Sequence, residues 1–109
     1  MSTGLSIEVD MSTLQREVHA WAENVFPERT LTSVLAHLRE EVGELTEAVS
    51  RLDPPPLDTE EAELAEECAD VGILLLSIAS LLGEDLATLM AVKHALNTGR
   101  RRTGMGQRG

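Results

Sequence analysis

Two short acidic stretches decide how this chain folds and works: Glu40-Glu41-Val42-Gly43-Glu44 and Glu66-Glu67-Cys68-Ala69-Asp70. On helices, Glu41 with Glu44 and Glu67 with Asp70 are i,i+3 pairs, so each pair projects from one face about one turn apart. Two such pairs facing each other form a carboxylate cage. Carboxylates held this close repel one another at low dielectric, and an all-oxygen donor set suits a hard divalent cation such as Mg²⁺ or Mn²⁺ better than Zn²⁺.

The apolar residues around these stretches repeat with a helical period. Leu14, Val18, Trp21 and Val25 recur at i, i+4, i+7 and i+11, which predicts a first helix over 13–25, opened by a capping box at Ser12-Thr13-Leu14-Gln15 and ended by Phe26-Pro27. Leu31, Val34, Leu35, Leu38, Val42, Leu45 and Val49 mark a second over 31–51, with Thr30 or Thr32 as N-cap and the acids on an adjoining face. Gly43, costing ~1 kcal/mol relative to alanine in mid-helix, suggests the close approach of another backbone or a ligand. The prolines of Asp53-Pro54-Pro55-Pro56 make a stiff hairpin connection. Asp58-Thr59-Glu60-Glu61 then opens a third helix that runs to Gly83, apolar nearly all round over 71–82 and so expected to be buried on several sides. Asp85 caps a fourth, with Leu86, Leu89, Met90 and Leu96, ending at Gly99. The fold class is therefore all-α, an antiparallel bundle of about four helices.

At these residues the chain resembles the MazG-type all-α nucleoside triphosphate pyrophosphohydrolases. The resemblance rests on E-E-x-x-E at Glu40, Glu41 and Glu44, followed by E-x-x-D at Glu67 and Asp70. Phe26-Pro27, His37-Leu38, Ala69-Asp70-Val71 and Lys93-x-x-x-Asn97-x-x-Arg100 also sit in the expected order, so it covers roughly residues 14–100. It is most similar to the short, MazZ-like branch acting on dATP and dGTP. The resemblance implies a (deoxy)purine triphosphate opened between its α and β phosphates, giving a monophosphate and pyrophosphate; related all-α enzymes acting on dUTP share a similar constellation. Together with the face argument it makes Glu41, Glu44, Glu67 and Asp70 the metal ligands, and it assigns the row Lys93, Asn97 and Arg100 to the substrate. The aromatic residue common after the position of Arg100 in the family is missing here, where Arg101-Arg102-Thr103 follow.

Other residues carry two readings. Glu40 neighbours the cage and is the candidate general base, or part of a solvated face. Asp70 precedes an apolar run, where an unpaired carboxylate is costly, so it needs a metal or a salt-bridge partner. His37 is a substrate-site ligand or a plain packed or surface side chain. Trp21 and Phe26 are core residues or the border of a nucleobase pocket. Lys93, Asn97 and Arg100 step along one face, phosphate-binding or solvated. Cys68 reads as a small core residue.

Composition bounds the rest. At 109 residues the chain is expected to form one domain, with a helical core over about 12–98 and a flexible basic tail over 99–109. With one Trp, one Phe and no Tyr, the core is built from aliphatic side chains, and a small all-α unit of this kind often completes its core as a homo-oligomer, a dimer or tetramer. Residues 1–98 hold all 19 acids against five Lys/Arg, for a charge of −14, whereas four arginines make the last stretch +4. An acidic body of that kind does not bind nucleic acid polymers non-specifically. One cysteine excludes an internal disulfide framework, and the absence of a signal peptide or a long apolar run points to a cytoplasmic protein, in the host cytoplasm if phage-encoded, with no membrane partner. No P-loop, zinc or serine-nucleophile motif occurs. A reading from another class is a non-catalytic acidic helical module for oligomerisation or partner binding, which would be indifferent to Mg²⁺; a third is an idle relative that binds metal without turnover.

Overall fold

The computed structural model describes residues 9–51 and 58–103. They form four helices: α1 (Met11–Val25), α2 (Leu31–Ser50), α3 (Asp58–Leu81) and α4 (Leu86–Thr103). The all-α architecture expected from the apolar repeats is the one observed. The prolines of the 52–57 connection lie outside the described residues.

α3 is the central element: α2 packs along it most extensively, α1 also lies against it, and α4 touches α1 and α3. The α2–α3 seam has a plain sequence basis. On α2 the inward positions are Val34, Leu38, Glu41, Leu45 and Ala48, and on α3 Leu64, Glu67, Val71, Leu74, Ile78 and Leu81, all buried or half-buried. These alternate steps of three and four are those of two helices packed along their length. Each series contains one glutamate where an apolar residue would be expected.

Caps define the helix ends. α1 starts two residues earlier than its periodicity suggests, because Asp10 rather than Ser12 is the N-cap, accepting from the Ser12 N–H at 3.3 Å and the Thr13 hydroxyl at 2.9 Å. α2 opens on Thr30, whose hydroxyl accepts from the Ser33 N–H while the Ser33 hydroxyl accepts from the Thr30 N–H, a reciprocal box. α3 ends in a Schellman turn: Gly83 takes φ +74°, its N–H reaches the Ser80 carbonyl, and the Glu84 N–H reaches that of Ala79. The chain then turns sharply, with Ala62–Leu81 and Leu86–Gly99 meeting at 99°.

That corner is held by α1. Gln15, buried, donates from its side-chain amide to the Glu84 carbonyl (2.8 Å) and the Ser80 hydroxyl (3.1 Å), and its oxygen accepts from the Leu86 N–H (2.9 Å). One turn earlier the Ser12 hydroxyl donates to Asp85 at 2.8 Å, and Asp85 also accepts from the Thr88 N–H and hydroxyl. The bond from Ser12, followed by those from Thr88, holds the Asp85 carboxyl below its ordinary value. A depressed carboxyl stabilises the fold above its unfolded pKa and loses that contribution as pH falls through the folded value. Asp85→Asn is therefore expected to flatten the fall in Tm on acidification from about pH 4 to pH 2; an equally steep fall in the variant would show that another group is responsible.

Several expectations need correcting. α4 continues through Gly99 to Thr103: one glycine costs only ~1 kcal/mol, and the three arginines after it are good helix formers with charges suited to a helix C-terminus. The apolar half of α3 is covered on several sides, fully at Leu76, Ser77 and Ala79 and partly along the seam at Val71, Leu74, Ile78 and Leu81, but Ile73, Leu75 and Leu82 are exposed within the chain. Cys68 is exposed rather than core. A Cβ added at Gly43 would meet nothing within 4 Å, so no neighbouring backbone of this chain explains that glycine. No single helix among the described residues is long and apolar enough to cross a membrane, and α3 with α4 would match the required length and composition only across their 99° break.

Candidate active site

The two seam glutamates meet. Glu41 from α2 and Glu67 and Asp70 from α3 each offer a carboxylate oxygen, and the three atoms lie within 4.8 Å of one another. Helix geometry accounts for the grouping: Glu67 and Asp70 are one turn apart on α3, and Glu41 occupies the facing seam position on α2. The Glu41 side chain is only 16% exposed. Oε1 of Glu67 is buried and has no hydrogen-bond partner among the described residues. A buried carboxylate oxygen left without a donor, beside two further carboxylates, is strongly disfavoured unless a proton or cation joins it. Burial first, then the charges of Glu44, Glu41, Asp70 and Glu63, raise the Glu67 carboxyl above its ordinary range. The donor set is all oxygen, so the arrangement fits a hard divalent cation.

Other candidates fall differently. Glu44 is exposed and outside the three-residue group, though near enough for its charge to act on Glu67. Asp70 belongs to the group but is exposed, so the desolvation argument applies to Glu67 instead; at Asp70 the surface of α3 opens onto a cleft. Glu40 is exposed and does not line that cleft.

The cleft has a volume of 1070 Å³ and lies between α1, the 26–30 loop and the seam helices. Glu41 and Asp70 stand at one part of its wall. Leu14, Val18, Trp21 and Val25, the apolar stripe of α1, line another together with Ala22, so that stripe borders the cleft, while Gln15, buried, lies outside its lining. Trp21 and Phe26 are 57% and 53% exposed and meet edge to face, with centroids 5.5 Å apart and planes at 77°. The core reading of these aromatics is overturned; both line the cleft. His37 lines it too, with Nε2 3.5 Å from Oε2 of Glu41. Ser33, His37 and Glu41 step along α2 at intervals of four, so the wall runs ~12 Å from the carboxylates to the loop.

Neither Lys93 nor Asn97 lines this cleft. Lys93 is exposed, and Asn97 is half-buried, its Oδ1 covered and without a partner among the described residues. Arg100 lies within α4, whose backbone places it one turn beyond Asn97. Periodicity missed Arg29 and Ser33, which line the cleft from the loop and the first turn of α2.

The chain thus gathers carboxylates from two helices at the wall of an aromatic-bordered cleft. Residues 29–97 match the model of the MazG nucleotide pyrophosphohydrolase domain, and the chain belongs to that family. It is 40% identical over 87 residues to a dATP/dGTP diphosphohydrolase of Salmonella phage PMBT28, a match covering 80% of this chain but 26% of that protein's length. To a dATP/dGTP diphosphohydrolase of cyanophage S-2L it is 36% identical over 90 residues, covering 83% of this chain and 75% of the relative. The chain thus spans about a quarter of the Salmonella phage protein and three quarters of the cyanophage one.

Proposed function

We propose that this protein hydrolyses a purine deoxynucleoside triphosphate, dGTP or dATP, between the α and β phosphates, releasing the monophosphate and pyrophosphate, with Mg²⁺ or Mn²⁺ as cofactor. The observation that carries the reading is the orphaned Oε1 of Glu67 where Glu41 and Asp70 converge at the cleft wall. Family membership and the two phage relatives agree with it.

Glu41, Glu67 and Asp70 would hold the cation, with Glu44 one turn along α2 joining them. Bound there, a divalent ion would neutralise phosphate charge and acidify the attacking water. The aromatic border at Trp21 and Phe26 gives the base an apolar face to lie against, leaving the triphosphate directed towards the carboxylates. Glu40, next to the ligand Glu41, is the candidate acceptor for the proton of the attacking water.

The phosphate-binding role of Lys93, Asn97 and Arg100 fits a homo-oligomer, dimer or tetramer, in which α4 of one copy reaches the cleft of another. The exposed apolar side chains Leu89, Met90, Val92 and Leu96 on the same helix support that assembly. Such a protein would work in the cytoplasm, where its substrates are.

A panel of nucleotides with Mg²⁺ and analysis of the phosphorus products tests the reading. Purine deoxynucleotides should yield pyrophosphate; release of orthophosphate, or no turnover of any nucleotide, would refute it. Glu40→Gln should lower kcat by ~10²–10⁴-fold while leaving stabilisation by the ion intact. Loss of both together would make Glu40 a ligand instead.

A further inference from the structure

Arg29 is, among the described residues, the one Lys or Arg side chain that lines the cleft. It stands in the 26–30 loop, on the same part of the wall as Trp21 and Phe26, and its N–H bonds the Phe26 carbonyl at 3.1 Å. Its side chain is 7% exposed, unusually deep for an arginine. Two of its nitrogens are engaged from the outside: Nη1 donates to Glu23 Oε2 (3.2 Å), and Nη2 lies 3.0 Å from Nδ1 of His19. Because guanidinium only donates, His19 must accept through Nδ1 and carry its proton on Nε2, which faces Glu23 at 3.6 Å. Its Nε–H is buried and meets no acceptor among the described residues.

A buried, charged donor left unpaired is costly, and it is the kind of group that a bound ligand satisfies. The tether joins an arginine side chain only 7% exposed to a glutamate 56% exposed. With the phosphates drawn to Glu41 and Asp70, the part of a nucleotide that reaches the aromatic wall is its base. We infer that Arg29 is a specificity-determining residue that donates a hydrogen bond to N7 of the purine ring. N7 is an acceptor in both adenine and guanine and is absent from cytosine and thymine, so one donor there selects the purine class without choosing between its members. His19 and Glu23 position the fork. The inference rests on the nucleotide reading above and extends it to the atom recognised.

The test compares dGTP, 7-deaza-dGTP and dCTP with the full-length protein, reading kcat/KM and, separately, quenching of Trp21, the only tryptophan, on nucleotide binding. Replacing N7 by carbon should cost the unaltered protein about 10- to 100-fold in kcat/KM, with matching weakening of quenching. Arg29→Met should lose a similar factor with dGTP, show no further loss with the deaza analogue, and narrow the gap to dCTP. Equal handling of dGTP and 7-deaza-dGTP by the unaltered protein would overturn the inference and needs no variant to fold. Persistent discrimination in a folded Arg29→Met would do the same. N7-dependent quenching without turnover would leave the base-recognition role standing and refute the hydrolase; neither quenching nor turnover would remove both.

Discussion

Glu67→Gln is expected to raise the Tm of the metal-free protein and to abolish its response to Mg²⁺ or Mn²⁺. The Glu67 carboxyl is raised in the folded state by burial and by the neighbouring Glu44, Glu41 and Asp70 charges, so the native chain holds that proton more tightly than the unfolded one. Stability from this group is therefore fully present below the unfolded pKa and is lost as pH rises through the folded value. Above the folded value the ionised side chain works against folding, and glutamine, which carries no charge, removes that opposition. A divalent cation bound as proposed would do the same for the unaltered protein: at one hundred times its Kd it would add about 2.7 kcal/mol of stability. The variant should lack that gain. Turnover should fall by at least ~100-fold, since even residues that merely support metal ligands cost 10- to 100-fold when altered. Calorimetry with and without the ion, from pH 4 to pH 8, reads all three effects. A variant that melts below the unaltered protein without metal and above it with metal would sink the assignment of Glu67.

Gln15→Ala is expected to destabilise the fold by about 3 kcal/mol, lowering Tm by roughly 12–20 °C for a chain of this size. The side chain satisfies the Leu86 N–H and the Glu84 carbonyl at the corner between α3 and α4, and alanine leaves both without it. Gln15→Glu separates the two halves of the bond pattern: it still accepts from Leu86 but sets a carboxylate against the Glu84 carbonyl, and should cost as much or more. Hydrogen exchange should show the loss first in α4, which the corner holds at 99° to α3. A loss under 1 kcal/mol in urea unfolding would mean that the corner is held by packing alone.

How much of this could be read from the chain alone depended on which residues carry a period. The four helices and three of their starts followed from apolar spacing, prolines and caps, because these act over one turn. Glu41 and Glu67 were legible as candidates from the spacing of the two acidic stretches, yet the face that Glu41 occupies was misjudged. Counting only Leu, Val and Ile placed the acids of α2 on an adjoining face, whereas Glu41 continues the buried series Val34, Leu38, Leu45 and Ala48. A glutamate in step with the core is the signal that could have shown it. The stripe of α1 misled in the opposite sense, since the apolar wall of a cleft and a hydrophobic core call for the same side chains. Gln15 was read only as part of a capping box at the start of α1, and the 26–30 loop only as a border of the pocket, with Arg29 not singled out. The contacts of Gln15 join distant parts of the chain, 65 to 71 positions away, which no local pattern reveals.

The placement of two acids inside the packed interface of α2 and α3 ties activity to the integrity of that interface. Prising the helices apart must scatter the oxygens gathered between them, and removing a cation held there, as proposed, would set those oxygens pushing against each other. Chelators and heat should consequently act as synergistic agents: a trace of EDTA would bring inactivation down to temperatures that the loaded enzyme withstands, and survival on warming would track the supply of divalent ions.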